Sequence, residues 1–138
     1  MAKQTAKSSH SPVAHGVGRR KTAVARIWLR HGAGNVKVNG CDYTEYFDTT
    51  FAAENAVTPF KVSPLGVQFD VEVNVCGGGK TAQADAVKLG IARAFVEFDE
   101  NAKPILKKHG LMTVDSRKKE RKKYGQRGAR RKFQFVKR

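Results

Sequence analysis

Alternation of apolar and polar residues marks two segments of the chain as strands with one buried face. In residues 21–30 an alanine, isoleucine or leucine occupies every second position, and in residues 67–75 four valines and a phenylalanine do the same. A glycine-containing connection of about five residues separates the first strand from a short apolar segment at residues 36–38. This spacing predicts a β-hairpin between these two segments.

Two helices are predicted after the second strand. Residues 80–98 place apolar side chains at three- and four-residue spacing among several alanines, which is typical of a helix with one buried stripe. A shorter helix is expected over residues 102–108, ending at Gly110 as helices often do, and residues 111–114 are apolar enough for one more strand. A one-sided strand followed by a one-sided helix indicates an α/β (α+β) fold built as a two-layer sandwich.

Two short helices are predicted between the strands. Asp42 and Glu45 have the spacing of a capping box, so a helix is expected to follow directly. A second short helix is expected to be capped by Asp48 or Thr50 and to end before Pro59.

Three regions are expected along the chain. Residues 1–16 are polar and contain a proline and a glycine, so a flexible N-terminal arm is predicted there. Residues 17–115 carry the apolar periodicity and form the globular domain, and residues 116–138 form an extended basic tail. No segment approaches the roughly 18 uninterrupted apolar residues that a membrane helix needs, so no transmembrane helix is expected. The basic tail lacks an apolar face suited to lipid, so no membrane partner is expected.

The charge of the chain is concentrated at its C-terminus. The 138 residues include 27 Lys or Arg and 12 Asp or Glu, a formal net charge of +15 with histidine neutral. Residues 116–138 alone carry 12 Lys or Arg and one acid, a net charge of +11. Because like charges at this density repel one another, a polyanionic partner is expected for this segment.

The tail combines two residue types that suit nucleic acid. Its cations can neutralise phosphates, and Tyr124, Phe133 and Phe135 can stack on unpaired bases. A solvated tail or a localisation signal is the plainer alternative, but this charge density favours RNA. A second basic segment precedes the first strand. The candidate RNA-binding cations are Arg117, Lys118, Lys119, Arg121, Lys122, Lys123, Arg127, Arg130, Arg131 and Lys132 in the tail, and Arg19, Arg20 and Lys21 before the strand.

A Gly-Lys-Thr sequence lies between the second strand and the long helix. A phosphate-binding P-loop needs a further glycine five positions before Gly79, where this chain has Asn74. The alternating strand also differs from the strand buried on both faces that precedes a P-loop. Gly77, Gly78 and Gly79 are therefore expected to be structural, letting the chain turn sharply. Lys80, at the helix N-terminus, is a candidate for binding an RNA phosphate.

No catalytic or metal-binding set is recognisable. Cys41 and Cys76 stand apart, with no Cys-x-x-Cys pair and no histidines at ligand spacing, so neither a metal nor another cofactor is expected. The chain is therefore expected not to be an enzyme. Two alternatives to an RNA-binding protein are kept: an NTPase that uses Lys80 and Thr81, and a basic protein that binds DNA or membranes.

Several segments, taken together and in order, resemble the S-nine family of small-subunit ribosomal proteins. The resemblance extends over nearly the whole chain from Gly18 onward. The segments that carry it are residues 18–26 (GRRKTAVAR), 38–40 (VNG), 46–47 (YF), 77–79 (GGG) with Gln83, Ala86, Gly90 and 92–95 (ARAF), 115–117 (DSR), 120–123 (ERKK), 129–131 (ARR), 134–135 (QF) and 137–138 (KR).

The resemblance implies a fold like the second domain of ribosomal protein S-five, including a left-handed βαβ crossover. It implies a structural constituent of the small ribosomal subunit that binds rRNA in the subunit head, beside neighbouring head proteins. It also implies that the tail extends to the P site, where Lys137 and Arg138 contact tRNA, and that Gln83 is structural. The bacterial style of the C-terminus implies the cytoplasmic ribosome of a bacterium, or an organellar ribosome.

Overall fold

Five strands form one open sheet in the computed structural model, which describes residues 11–65, 69–135 and 137. Their bounds are β1 (Ala14–Arg20), β2 (Ala23–His31), β3 (Val36–Val38), β4 (Cys41–Asp42) and β5 (Phe69–Cys76). Across the sheet they follow the order β1-β2-β5-β3-β4. The helices are α1 (Tyr43–Tyr46), α2 (Thr50–Ala56), α3 (Thr58–Val62), α4 (Lys80–Phe98) and α5 (Ala102–Lys108). The mixed α and β class predicted from the sequence is confirmed.

The predicted hairpin between residues 21–30 and 36–38 is wrong. β2 pairs antiparallel with β1 on one side and with β5 on the other. β3 pairs in parallel with β5, so that Val36 lies beside Val71. The reason is the length of the strands. Eight residues of β2 pair with β5, whereas β3 has only three residues and could bury far less apolar surface against β2.

β1 lies where the apolar pattern predicts no strand. Glycines 16 and 18 occupy two of its core-facing positions, so the strand has little apolar periodicity to detect. Both glycines are buried against α4, and a Cβ atom on either one would overlap backbone atoms of that helix. The strand begins at Ala14, inside the segment predicted to be a flexible arm, and residues 1–10 of that arm lie outside the described residues.

The two helices predicted after the second strand are confirmed. α4 covers residues 80–98 and α5 covers residues 102–108, with Gly110 in the left-handed region at φ 69°. The strand predicted at residues 111–114 is wrong, because that segment is a turn. Buried Leu111 closes the end of α5, its amide N–H donating to the carbonyl oxygen of Leu106 at 3.0 Å. The first two residues of the predicted strand at 67–75 lie outside the described residues, and β5 covers the rest.

The two predicted short helices form as α1 and α2, but their caps differ, and α3 is a third short helix that the sequence does not predict. The Thr49 hydroxyl oxygen accepts from the amide N–H of Ala52 at 3.3 Å, so neither Asp48 nor Thr50 caps α2. The Asp42 carboxylate makes no capping bond to α1 and instead accepts from the Thr44 hydroxyl at 3.1 Å. A hydroxyl or carboxylate one residue before or after the predicted cap can cap the helix equally well. Which residue does so depends on backbone geometry that the sequence does not show.

The core lies between one face of the sheet and α4. The alternating residues predicted for β2 and β5 are confirmed as buried, with exposed fractions of 6 % or less. Parallel β3 and β5 are joined by a long connection through β4 and the three short helices. None of the helices within the described ranges is long and apolar enough to cross a membrane.

Candidate nucleic-acid interface

One end of the sheet gathers several predicted site residues. We call this end the glycine edge and define it as residues 19–22 and 77–80. β1 ends at Arg20, a two-residue turn leads into β2, and β5 ends beside them at Cys76. Gly77 and Gly78 both have positive φ, at 75° and 66°, and their backbone lies against the start of β2. Side chains there would strain the turn and collide with β2, so glycine lets the two turns lie together.

Lys80 begins α4 at this edge, and its side chain is held by Tyr46 of α1. Its ammonium group donates to the carbonyl oxygen of Tyr46 at 2.8 Å and lies 3.6 Å from the centre of the Tyr46 ring. The side chain remains exposed. Because an ammonium has three donors, the bond to Tyr46 leaves donors for a phosphate.

Gln83 supports the glycine edge from inside. Its amide nitrogen donates to the carbonyl oxygen of Gly77 at 3.1 Å, and its amide oxygen accepts from the Tyr46 hydroxyl at 2.9 Å. The side chain is 9 % exposed. One buried amide therefore links α1, α4 and the glycine turn, since each of its two polar atoms has a partner on a different element.

Asn39, directly after β3, is a structural residue that is not among the predicted site residues. Its backbone has a φ of 50°, and its side-chain amide pairs with Val75, accepting from the amide N–H at 2.9 Å and donating to the carbonyl oxygen at 3.0 Å. The side chain thus imitates one more residue of β3 against β5. An Asn-Gly pair directly after a strand signals a turn, but it does not reveal a bond to Val75, 36 residues away.

Arg20 ties the tail to the domain. Its guanidinium lies 2.9 Å from the Asp115 carboxylate and 3.6 Å from that of Asp85. It also donates to the carbonyl oxygens of Asp115 and Arg117 at 3.3 and 2.8 Å. Only 12 % of the Arg20 side chain is exposed. Most of its donors are therefore engaged inside the protein, unlike those of exposed Arg19 and Lys21.

Asp115 and Arg117 bind each other where the tail leaves the domain. The Arg117 guanidinium approaches both oxygens of Asp115 at 2.7–3.1 Å, and the Arg117 amide N–H donates to the same carboxylate at 3.0 Å. The hydrogen bonds from Arg117, with the positive charges of Arg117 and Arg20, hold the pKa of Asp115 well below its usual range. The same carboxylate raises the pKa of Arg117.

A cleft of about 290 Å³ lies where β1, α4 and the start of the tail meet. Four cations line it together with two carboxylates, which bind Arg20, Lys88 and Arg117. Four positive charges against two negative charges leave a net charge of +2 in the lining, and its ion pairs connect elements of the protein. The charged residues that line it are Arg19, Arg20, Lys88, Arg117, Asp85 and Asp115.

Residues 120–133 fold back on themselves, and we call them the tail loop. The Glu120 carboxylate accepts from Lys123 at 2.7 Å and from Arg130 at 2.8 Å, which brings two points ten residues apart together. The Arg127 amide N–H donates to the carbonyl oxygen of Arg131 at 2.9 Å, and its guanidinium lies 5.2 Å from the Phe133 ring. The predicted extended tail therefore contains a closed loop.

Most tail cations are exposed to solvent, including those that form ion pairs. Of the residues predicted to bind RNA, Lys123 is half-buried and the other tail cations are exposed. Lys137 is exposed as well, whereas Arg138 lies outside the described residues. The exposed tail cations are Arg117, Lys118, Lys119, Arg121, Lys122, Arg127, Arg130, Arg131 and Lys132.

Little in the described residues suggests other chemistry. They contain no group of three side chains that could hold a metal ion. Both cysteines are exposed and free. Asn74, at the position where a P-loop has its first glycine, is an exposed residue within β5.

Comparison with known proteins identifies the family. The family model described as Ribosomal protein S9/S16 matches residues 18–138. The chain belongs to this family. The small ribosomal subunit protein uS9 of Thermotoga neapolitana is 51 % identical over 127 residues, covering 90 % of this chain and 95 % of the relative. The uS9 proteins of Cytophaga hutchinsonii and Chlorobium limicola are each 49 % identical, over 126 and 122 residues, covering 91 and 88 % of this chain and 98 and 95 % of the relatives.

The resemblance predicted from short segments is thus confirmed over almost the whole chain. Members of the ribosomal protein S9 family are structural, non-enzymatic components of the ribosome, and this chain is a ribosomal protein of the small subunit. Family membership also removes the NTPase alternative. Lys80 and Thr81 therefore need a structural or binding explanation.

Proposed function

We propose that this protein binds small-subunit rRNA in the head of the subunit, beside neighbouring head proteins, and extends its tail to the P site. The observation that carries the proposal is the net charge of +11 in residues 116–138, on side chains that mostly face solvent. A phosphate backbone neutralises such a surface without requiring a defined base sequence. The bacterial relatives support the cytoplasmic ribosome of a bacterium as the location.

The two basic regions have different parts in this proposal. The exposed tail cations, with Arg19 and Lys21, contact rRNA phosphates. Lys80 adds a contact at the glycine edge through the donors that Tyr46 leaves available. We infer that Arg20 contributes mainly by anchoring the start of the tail to the domain, because its guanidinium already binds Asp115 and Asp85.

The fold is part of the same proposal. The parallel pair of β3 and β5, joined through short helices, supports kinship with the second domain of ribosomal protein S-five. A left-handed crossover between these strands belongs to that kinship. Gly77, Gly78 and Gln83 are the structural residues that keep the glycine edge in shape, as their hydrogen bonds and φ angles suggest. Gly79, the N-cap of α4, has an ordinary φ of −102° and open space where a Cβ atom would lie, so it gives no such support.

Salt dependence tests the rRNA contacts. If the tail and the glycine edge contact about 6–10 phosphates, affinity for small-subunit rRNA falls by roughly 10³–10⁵ between 50 and 200 mM salt. Replacing Lys118 and Lys119 with glutamine lowers the slope of log K against log salt by about one per lysine. Lys61 and Lys103, exposed on α3 and α5, are the matched controls and leave the slope unchanged. Equal affinity for rRNA, duplex DNA and anionic vesicles at matched charge would contradict the proposal.

Retention of P-site tRNA tests the end of the tail. Small subunits carrying Lys137→Ala and Arg138→Ala are expected to assemble normally but to release P-site tRNA faster, because two phosphate contacts are lost. Subunits carrying Lys118→Ala and Lys119→Ala lose the same charge nearer the domain and are expected to retain tRNA. Unchanged tRNA retention in the first variant would refute the P-site assignment.

A further inference from the structure

The tail loop contains the single acid of the tail. Residues 116–138 carry 12 cations and only Glu120 as a negative charge. Glu120 engages Lys123 and Arg130, and these ion pairs reduce the charge that both residues offer to phosphates. A segment adapted only to phosphate binding has no use for such a carboxylate. Its ion pair with Arg130 joins two residues that are ten positions apart, which indicates that Glu120 shapes the loop.

The closed loop presents Tyr124 to solvent. The Tyr124 side chain is 93 % exposed, and within the described part of the chain it makes no hydrogen bond or ring contact. It lies directly after Lys123 and directly before Gly125, whose φ of 66° gives a tight turn. The ion pair on one side and the turn on the other therefore restrict where the Tyr124 backbone can go.

The other two aromatic residues of the tail are placed differently. The guanidinium of Arg127 already lies against the Phe133 ring, whose side chain is 56 % exposed. Phe135 is fully exposed but lies beyond the loop. Tyr124 alone among the three combines an available ring with a position inside the closed loop.

We propose that Tyr124 is a base-stacking residue for an unpaired rRNA nucleotide and that Glu120 is the positioning residue that holds the tail loop in the conformation presenting it. This inference rests on the proposed rRNA binding and deepens it. An aromatic ring accepts a base of any sequence on its face, while cations beside it hold the flanking phosphates. Holding the ring in place beforehand reduces the entropy lost on binding.

RNA fits this surface better than a protein partner. Four cations lie within three residues of Tyr124, namely Arg121, Lys122, Lys123 and Arg127. This part of the tail has no apolar neighbours that would complete a protein-binding patch. Protein interfaces concentrate apolar residues around their aromatic anchors and exclude charge from their centre. Stacking between bases and aromatic rings instead occurs routinely in positively charged grooves.

The test measures affinity of the full chain for small-subunit rRNA at fixed salt. Tyr124→Ala is expected to lose about 5- to 150-fold, the usual effect of removing one stacking aromatic. Tyr124→Phe keeps the ring and is expected to bind like the unaltered chain. Neither variant removes a charge, so the salt dependence stays the same. Phe51→Ala, at a 74 % exposed aromatic on α2 away from the basic segments, is the matched control and leaves affinity unchanged.

The role of Glu120 requires a double-variant measurement. Glu120→Gln adds one net positive charge, so a purely electrostatic role predicts tighter binding and an undiminished effect of Tyr124→Ala. The positioning role predicts that the loss caused by Tyr124→Ala shrinks at least several-fold in the Glu120→Gln background. Glu45→Gln adds the same charge on α1 and leaves the effect of Tyr124→Ala intact. Equal losses in both backgrounds would overturn the positioning role.

The outcomes separate this inference from the proposed function. If the unaltered chain shows no preference for rRNA, the proposed function fails first. If it binds rRNA with the expected salt dependence but Tyr124→Ala binds equally well, only the stacking inference fails. The same holds if Tyr124→Ala leaves rRNA affinity unchanged and instead weakens binding of a ribosomal protein.

Discussion

Two regions of this molecule bring distant residues together by different interactions. In the domain, β1 lies directly on α4 because Gly16 and Gly18 have no side chains, and the contact is between backbones. In the tail loop, Glu120 draws Arg130 to it across ten residues through an exposed ion pair. The first contact excludes water and depends on shape, whereas the second remains in water and depends on charge.

This difference predicts how each region responds to its surroundings. In a close-packed region any added volume displaces the neighbouring atoms, so one added carbon atom is enough to lower the stability of the domain. Exposed ion pairs weaken with salt and with acid and each contributes little to stability. The domain is therefore suited to holding one shape, and the tail loop to exchanging its ion pairs for phosphates.

The largest expected effect comes from Gly18→Ala. The added Cβ atom overlaps the carbonyl oxygen of Ala86 in α4, and neither backbone can move without separating β1 from the helix. Overpacking of this kind costs about 3 kcal/mol, which exceeds the roughly 0.5–1 kcal/mol that alanine contributes through reduced chain entropy. Urea unfolding of the full chain measures the loss.

Gly128→Ala is the matched control in the tail. A Cβ atom there lies 3.7 Å from the nearest side-chain carbon, that of Arg131, which is an ordinary contact. The same glycine-to-alanine change should therefore alter the free energy of unfolding by less than about 0.5 kcal/mol. Similar losses in both variants would show that the two regions are not organised differently.

The close packing of β1 also explains what the sequence predicts well and what it misses. β5 carries its periodicity in valines and a phenylalanine, and α4 carries it in larger apolar side chains spaced among alanines, so both are predictable from the sequence. β1 is missed because its buried glycines contribute no periodic apolar signal, although they are buried like the apolar residues of β5. Missing β1 also favours the wrong hairpin, because the nearest strand to β2 that the sequence then predicts is β3, although β2 in fact pairs with β1 and with the longer β5.

The second largest effect is expected from Arg20→Ala. The substitution leaves the carboxylates of Asp85 and Asp115 without their shared guanidinium, and it removes two bonds to carbonyl oxygens. Because the side chain is largely buried, the free energy of unfolding should fall by about 1–2 kcal/mol. The start of the tail should also be released, so trypsin should cleave faster near Arg117.

Arg19→Ala is the control for this substitution. Arg19 carries the same charge one position earlier and is exposed. Its removal should leave both the unfolding free energy and the cleavage rate near Arg117 almost unchanged. If the two variants behave alike, Arg20 does not tether the tail to the domain.

The candidate site was only partly predictable for a related reason. Composition reveals the tail as the charged segment, but it does not distinguish cations that bind carboxylates from those that face solvent. Arg19 and Arg20 are adjacent in sequence, yet only Arg20 meets Asp115 from a segment 95 residues away. The bonds of Gln83 and Asn39 are hidden for the same reason, because both depend on pairings between distant elements.

The smallest expected effect is the opening of the tail loop by acid. Hydrogen bonds from Lys123 and Arg130 lower the pKa of Glu120 below its ordinary value of 4.5. A carboxylate whose pKa is lower in the folded state stabilises that state above its unfolded pKa, and the contribution is lost as pH falls through the folded pKa. The loop should therefore persist at pH 4.5 and open only at lower pH.

Nuclear magnetic resonance can follow this opening through the side-chain Nε–H of Arg130, which donates to Glu120 at 2.8 Å. Its signal should shift with a midpoint below pH 4.5, and Glu120→Gln should abolish the shift. Amide signals from buried Ala25 and Ile27 of β2 serve as the internal reference, because the residues paired with them in β1 and β5 carry no carboxylate. A midpoint at or above pH 4.5 would mean that the ion pairs do not hold the loop in solution. The domain would then still be organised by close packing, but the tail loop would not be organised by charge.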